Sequence, residues 1–211
     1  MAIGYDPVAE GIISNLRRPG GNVTGITLSA PALVSKQLEL LHELLPKAKR
    51  FLVLTDSFTR GILEESRNAA KELGVEIIPA EFAAPPYPIA EALERGRKAG
   101  ADALILLTSP VLIDQRAAVY ELALKHRLPV VVSHSGYWDG TGWLLGYGAI
   151  LEKTIMRAGD IAASILRGKK AGEIPVEQPT EFELAINLKT AKLLGLKVPQ
   201  SLLLRADKVV E

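Results

Sequence analysis

The chain predicts a doubly wound α/β fold with parallel sheet, on three observations. Between residues 49 and 135 it alternates short, nearly continuous apolar runs with amphipathic stretches. Two of the amphipathic stretches close on a glycine, at Gly74 and Gly100, where a left-handed residue ends a helix. Cysteine is absent and the charged residues nearly cancel, 25 basic against 24 acidic, so no disulfide framework or electrostatic footprint competes with a packed core.

The elements follow in order. VAEGIISNLRR (8–18) reads as a helix stopped by Pro19, which fixes its own φ and pushes Arg18 away from α. Gly20 and Gly21 then allow a sharp turn, and NVTGITL (22–28) is β-favouring. LVSKQLELLHELLP (33–46) carries a leucine stripe at 38, 41, 44 and 45 and stops at Pro46. Strands over 49–56, 74–82, 100–110 and 128–135 suit burial on both faces, and helices over 60–74, 88–100 and 112–127 separate them. Strand–helix–strand units in this rhythm make right-handed crossovers. WLLGYGAI (143–150) is another strand, followed by a helix over 151–168, a polar link over 169–181, a strand over 182–187, a helix over 188–195 and a tail.

Several kinds of chemistry are disfavoured. G-G-x-x-x-G at 20–25 precedes β-favouring residues rather than a helix and lacks the Lys-Ser or Lys-Thr of a phosphate loop. His42, His126 and His134 are scattered without metal-ligand spacing, so no metal is expected. Ser133, His134 and Ser135 are adjacent on one predicted strand and no G-x-S-x-G elbow accompanies them, so a catalytic triad has no nucleophile. Glu64 and Glu65 fall on an exposed helix face. GYGAIL lacks the third glycine of a dinucleotide fingerprint, and no cofactor is expected. Without a basic stripe or helix-turn-helix segment, nucleic acid is not expected as a partner. There is no run long and apolar enough to span a membrane, and MAIGYDPVAEG shows no signal peptide pattern.

Ligand binding follows from the predicted sheet. In a parallel α/β layer the crevice lies beyond the carboxyl ends of the strands, which here places Asp56, Ser57 and Phe58, then Thr108 and Ser109, then Ser133, His134, Ser135 and Tyr137 around one site. Hydroxyls and a carboxylate suit a zwitterion or small polar solute, and Phe58, Tyr137 or Trp138 can stack on an apolar part. Ser57, Thr59, Ser109 and Asp114 would serve equally well as helix caps.

DPVAEGIISNLRRPGGNVTGIT, GADALILLTSPV, GYGAILEK and IPVEQPTEFELAINLKTAKLLGLKVPQSLLLRADKVV together resemble the ABC-transporter substrate-binding protein family that includes tryptophan- and phenylalanine-type binders. The resemblance implies a type I periplasmic binding protein fold, two doubly wound lobes joined by three crossovers and closing on a small ligand. It implies a non-catalytic solute-binding component serving an ABC permease, periplasmic or membrane-anchored outside the cell. GGNVTGIT becomes the first crossover, and Tyr147 faces the cleft at the hinge.

On that resemblance residues 1–28 and 144–176 form a partial first lobe, and 29–143 with 177–211 a nearly complete second. Met1 then stands where about a third of a full-length receptor has passed, and the partial lobe invites homo-oligomerisation. Gly146 stands where serine is common in the family, and TDSF where asparagine–proline is usual, so the resemblance does not extend to the particular solute. The alternative is a lone Rossmann- or flavodoxin-like domain, with 49–143 as its core, acting as an enzyme or small-molecule sensor.

Overall fold

A computed structural model describes residues 2–3, 6–8, 10–28, 31–133, 137–138, 140 and 142–211. Its centre is a seven-stranded sheet in the order β4-β3-β5-β6-β7-β8-β9, formed by β3 (Arg50–Asp56), β4 (Glu76–Phe82), β5 (Ala103–Leu106), β6 (Val130–Val132), β7 (Trp143–Ala149), β8 (Phe182–Asn187) and β9 (Lys208–Val210). Every neighbouring pair is parallel except β7 and β8. The central strands are buried on both sides because their residues are almost all Val, Leu, Ile or Phe: Phe51, Val53 and Ile105 face one layer of helices, Leu52, Leu54 and Leu104 the other.

The first layer holds α1 (Pro31–Leu44), α2 (Arg60–Glu72), α7 (Leu188–Leu194) and α8 (Gln200–Arg205); the second holds α3 (Ile89–Lys98), α4 (Pro110–Asp114) and α5 (Arg116–Lys125). Gly74 and Gly100 have φ of +67° and +80°, as their positions after α2 and α3 require. No glycine follows α5. Arg127 takes a left-handed φ of +57° there, and its guanidinium donates to the Leu194 carbonyl at 3.0 Å. Pro79 lies on β4, an edge strand that tolerates a missing N–H.

A smaller layer lies beside this sheet: β1 (Ala2–Ile3) paired with β2 (Ile26–Thr27), and α6 (Leu151–Leu166). The glycines of the 19–25 stretch serve close backbone approach. Gly20 donates to the Gly172 carbonyl at 3.2 Å, and a Cβ on Gly172 would stand 2.4 Å from the Gly21 carbonyl oxygen.

Four expectations change. The helix over 8–18 does not form; its described residues make turns. Ile12 and Ile13 both donate to the Pro7 carbonyl, Gly11 then takes φ +69°, and the side chains of Ser14 and Asn15 bond the Arg18 backbone in place of a helical ladder. The stretch 112–127 breaks at Gln115 into α4 and α5. The tail contains α8 and β9, because Leu202 and Val198 complete the first core layer and Asp207 fastens both ways to Leu184. Finally, the chain does not leave the large sheet at residue 144: β7 pairs with β6 and then β8 through to Ala149.

Candidate ligand-binding site

Three crossovers join the two layers, and all lie at the end of the large sheet where β3, β5 and β6 finish. Thr27 donates to the Glu177 carbonyl at 2.9 Å, and Glu177 to the Gly25 carbonyl at 2.9 Å. Ala149 pairs with Phe182, and Ile150 donates to the Glu181 carbonyl at 3.3 Å. The segments 25–28, 149–150 and 176–182 therefore run side by side beyond the strand ends, the place where an open α/β sheet receives ligands.

The strand ends are tied into a rigid shelf. Asp56, 4% exposed, closes β3. One of its oxygens accepts from the Phe58 amide at 3.0 Å and the Thr59 hydroxyl at 3.3 Å; the other accepts from Tyr87 Oη at 3.0 Å and from the Ser109 hydroxyl. Ser109 in turn caps α4, accepting from the Leu112 amide at 3.4 Å. One carboxylate thus fixes the ends of β3 and β5 and the loop after β4. Burial first, then the Asp56 carboxylate, push the Tyr87 phenol above its ordinary pKa.

A second tie lies across β6 and β7. Gln37, on α1 and 1% exposed, donates through Nε2 to the Tyr147 carbonyl at 2.7 Å and the Ser133 hydroxyl at 3.0 Å. Tyr147 is half-buried and stacks on Phe182, centroids 6.1 Å apart. On the opposite face of β7 the Trp138 indole rests on Gly146 and stacks with Trp143 at 6.0 Å. A Cβ on residue 146 would stand 2.1 Å from Trp138 Nε1, which is why glycine occupies the place where the family commonly has serine.

The sequence-based candidates divide accordingly. Asp56, Ser109 and Ser133 are buried in the two ties, Thr108 and Tyr147 are half-buried beside them, and Ser57 and Phe58 are exposed at the rim, Phe58 by 40%. Tyr137 is half-buried, its carbonyl accepting from Tyr120 Oη at 2.9 Å and its ring facing the Arg116 guanidinium at 6.0 Å. Burial pushes its phenol upward, against the opposing pull of Arg116. His134 and Ser135 lie outside the described residues.

Gln37 and Tyr87 were missed. Gln37 had a signal: it lies three residues after Val34 and four before Leu41, on the apolar stripe of α1, where a polar side chain needs a reason. Tyr87 stands between prolines and had none.

A cavity of about 290 Å³ lies under the crossovers, lined by Ile26, Ile150, Lys153, Arg157 and residues 177–181. Arg157 grips Glu177 through two bonds of 2.8 and 2.7 Å, and Lys153 pairs with Glu181. A larger hollow of about 610 Å³, lined by Leu44, Asp102, Arg127 and Leu194 among others, sits at the opposite end of the sheet, where helix carbonyls rather than amides face the solvent. Among the described residues no cluster of three or more His, Asp or Glu could hold a metal ion, and no helix is long and apolar enough to cross a membrane.

A two-layered α/β chain with three adjacent crossovers over the strand ends has the type I periplasmic binding protein fold. The chain belongs to the ABC transporter substrate binding protein family, whose sequence model matches residues 1–210. It is 30% identical over 195 residues to a tyrosine-binding protein of Clostridioides difficile, an alignment covering 91% of this chain and 55% of that one, so the chain spans about half the length of that curated relative. Among solved structures, an ABC domain in complex with L-Trp from Streptococcus pneumonia matches with a TM-score of 0.88 at 25% identity, over 100% of this chain and 72% of the other. A conserved domain protein from Vibrio cholerae matches with a TM-score of 0.89 at 24% identity, over 97% and 68%.

Proposed function

We propose that this chain is the solute-binding component of an ABC import system and takes a small, amino-acid-like molecule between its two layers, without a chemical step. The observation that carries the reading is the placement of three parallel crossovers over a shelf of buried, fixed polar groups. One wall is residues 29–149 with 182–211, the other residues 1–28 with 150–176. Ligand contacts to both walls shift the balance between open and closed arrangements, and the closed form is what a permease recognises. The tyrosine-binding relative and the L-Trp complex support an amino-acid-like ligand.

The reading places the protein outside the cytoplasmic membrane, periplasmic or anchored there. The exposed apolar stripe of α6, with Ile155 60% and Leu166 89% exposed, supports self-association as a homo-oligomer. Light scattering on the eluted protein should then give a mass above one chain.

A thermal-shift and calorimetric screen of the twenty amino acids and simple organic acids tests the main reading. Saturable binding of one ligand per chain is expected, with stabilisation of about 2.7 kcal/mol at a hundredfold excess over Kd. If no amino acid binds or shifts the melting temperature, the reading fails.

A further inference from the structure

We propose that Gln37 and Trp138 are the groups that read the two charged ends of an α-amino acid, Gln37 Oε1 taking the ammonium and Trp138 Nε1 the carboxylate. The proposal rests on the solute-binding reading above and assigns residues that reading leaves open.

Four buried side-chain atoms have no hydrogen-bond partner among the described residues: Gln37 Oε1, His42 Nδ1, Trp138 Nε1 and Trp143 Nε1. A buried unpaired polar group is costly, so each needs an explanation. Two lie away from the strand ends. His42 is more than a turn further along α1, away from the crossovers, and Trp143 pairs with Val130 at the start of β6.

The other two are at the last rung. Gly146, under the Trp138 indole, pairs with Val132, and Tyr147, whose carbonyl Gln37 holds, is the next residue of β7. Gly146 and Tyr147 face opposite sides of the sheet, so one unpaired acceptor and one unpaired donor flank the same strand end.

The orientation of the Gln37 amide follows from its partner. The Tyr147 carbonyl only accepts, so the nitrogen must face it and the oxygen is left over. Leucine at position 37 would complete the apolar stripe of α1 at no polar cost. The seat of Trp138 is equally specific, since any side chain on residue 146 displaces the indole. A solute that lies across the end of β6 and satisfies both atoms must offer a donor and an acceptor a short distance apart. The ammonium and carboxylate on one carbon of an α-amino acid do so, and each bond is then charge-assisted.

Calorimetry on the full chain tests this with L-tyrosine and L-tryptophan, their decarboxylated forms tyramine and tryptamine, and their deaminated forms 3-(4-hydroxyphenyl)propionate and indole-3-propionate. Gln37→Met should weaken the amino acid about tenfold and leave the deaminated acid unchanged. Trp138→Phe, which keeps a ring and removes only the indole N–H, should weaken the amino acid and the deaminated acid by about the same factor and leave the amine unchanged. Should Gln37→Met fail to fold, the selective signature of Trp138→Phe decides. Wild-type protein that binds an amino acid, with variants that match it or weaken all three ligand types equally, overturns the assignment and leaves the solute-binding reading standing. Wild-type protein that binds no amino acid overturns that reading as well.

Discussion

In the seven-stranded sheet, Phe51, Leu104, Val130 and Leu145 are fully enclosed by helices on two faces, whereas the layer of residues 2–28 and 150–176 pairs two residues per strand and leaves Ile155, Met156 and Leu166 in solvent. The large sheet is held by apolar burial, which is non-directional and strong. The small layer is held by directional contacts at its seam: backbone bonds from residues 16–27 to 172–177, and the grip of Arg157 on Glu177. The shelf for ligand stands on the stable side, and the part free to move is the side with the weaker core. A hinge receptor needs that asymmetry.

The comparison can be broken at its strongest point. Leu104→Ala, in the middle of β5, should lower unfolding free energy by about 2–5 kcal/mol, while Leu166→Ala on α6 should change it by less than about 0.5 kcal/mol. Equal losses in chemical denaturation would mean that α6 is buried in the protein as it exists in solution.

The shelf comes next. Tyr87→Phe removes one donor to the Asp56 carboxylate and should cost about 1.5–3 kcal/mol. Because the folded phenol titrates above the ordinary value of 10.0, its contribution is fully present below that pH and is lost as pH rises through the folded pKa. The variant should lack that alkaline slope; an unchanged slope would place its origin elsewhere.

Gly146→Ser should cost about 1–3 kcal/mol by forcing the Trp138 indole off β7. Tryptophan emission should shift to the red, and pairing the change with Trp138→Ala should recover part of the loss. An unshifted spectrum would show that the strand yields instead.

The seam should show the smallest effect. Arg157 holds the Glu177 carboxyl below its ordinary value of 4.5, mainly by hydrogen bonding, with burial opposing. The pair therefore stabilises above that value and its contribution is lost as pH falls through the folded pKa. Glu177→Gln should produce a slight drop in melting temperature that high salt abolishes, because both partners are partly exposed. A large, salt-insensitive drop would mean that the seam is a buried interface.

How much was legible follows from range. The strands and helices between 49 and 135 are written in local apolar periodicity, and Gly74 and Gly100 announced their left-handed caps. The failures were equally physical. Residues 8–18 have helical spacing, yet Gly11, Ser14 and Asn15 offer the backbone local alternatives that the spacing does not record. In the site, the strand-end rule brought Asp56, Ser109 and Ser133 to one edge. It could not show that Asp56 spends its acceptors on Phe58, Thr59, Tyr87 and Ser109, because Tyr87 and Ser109 come from 31 and 53 residues away.

The amino-acid sequence alone determined the α/β class, the parallel order of crossovers and the edge at which ligand is received, because each depends on patterns within some fifteen neighbouring residues. Only the tertiary structure decided that β7 stays in the large sheet, that the C-terminal segment completes it with β9, and that Gln37 and Trp138 meet one strand end from opposite faces. Those facts depend on which distant backbones come within bonding distance, and that is settled by packing the whole chain at once.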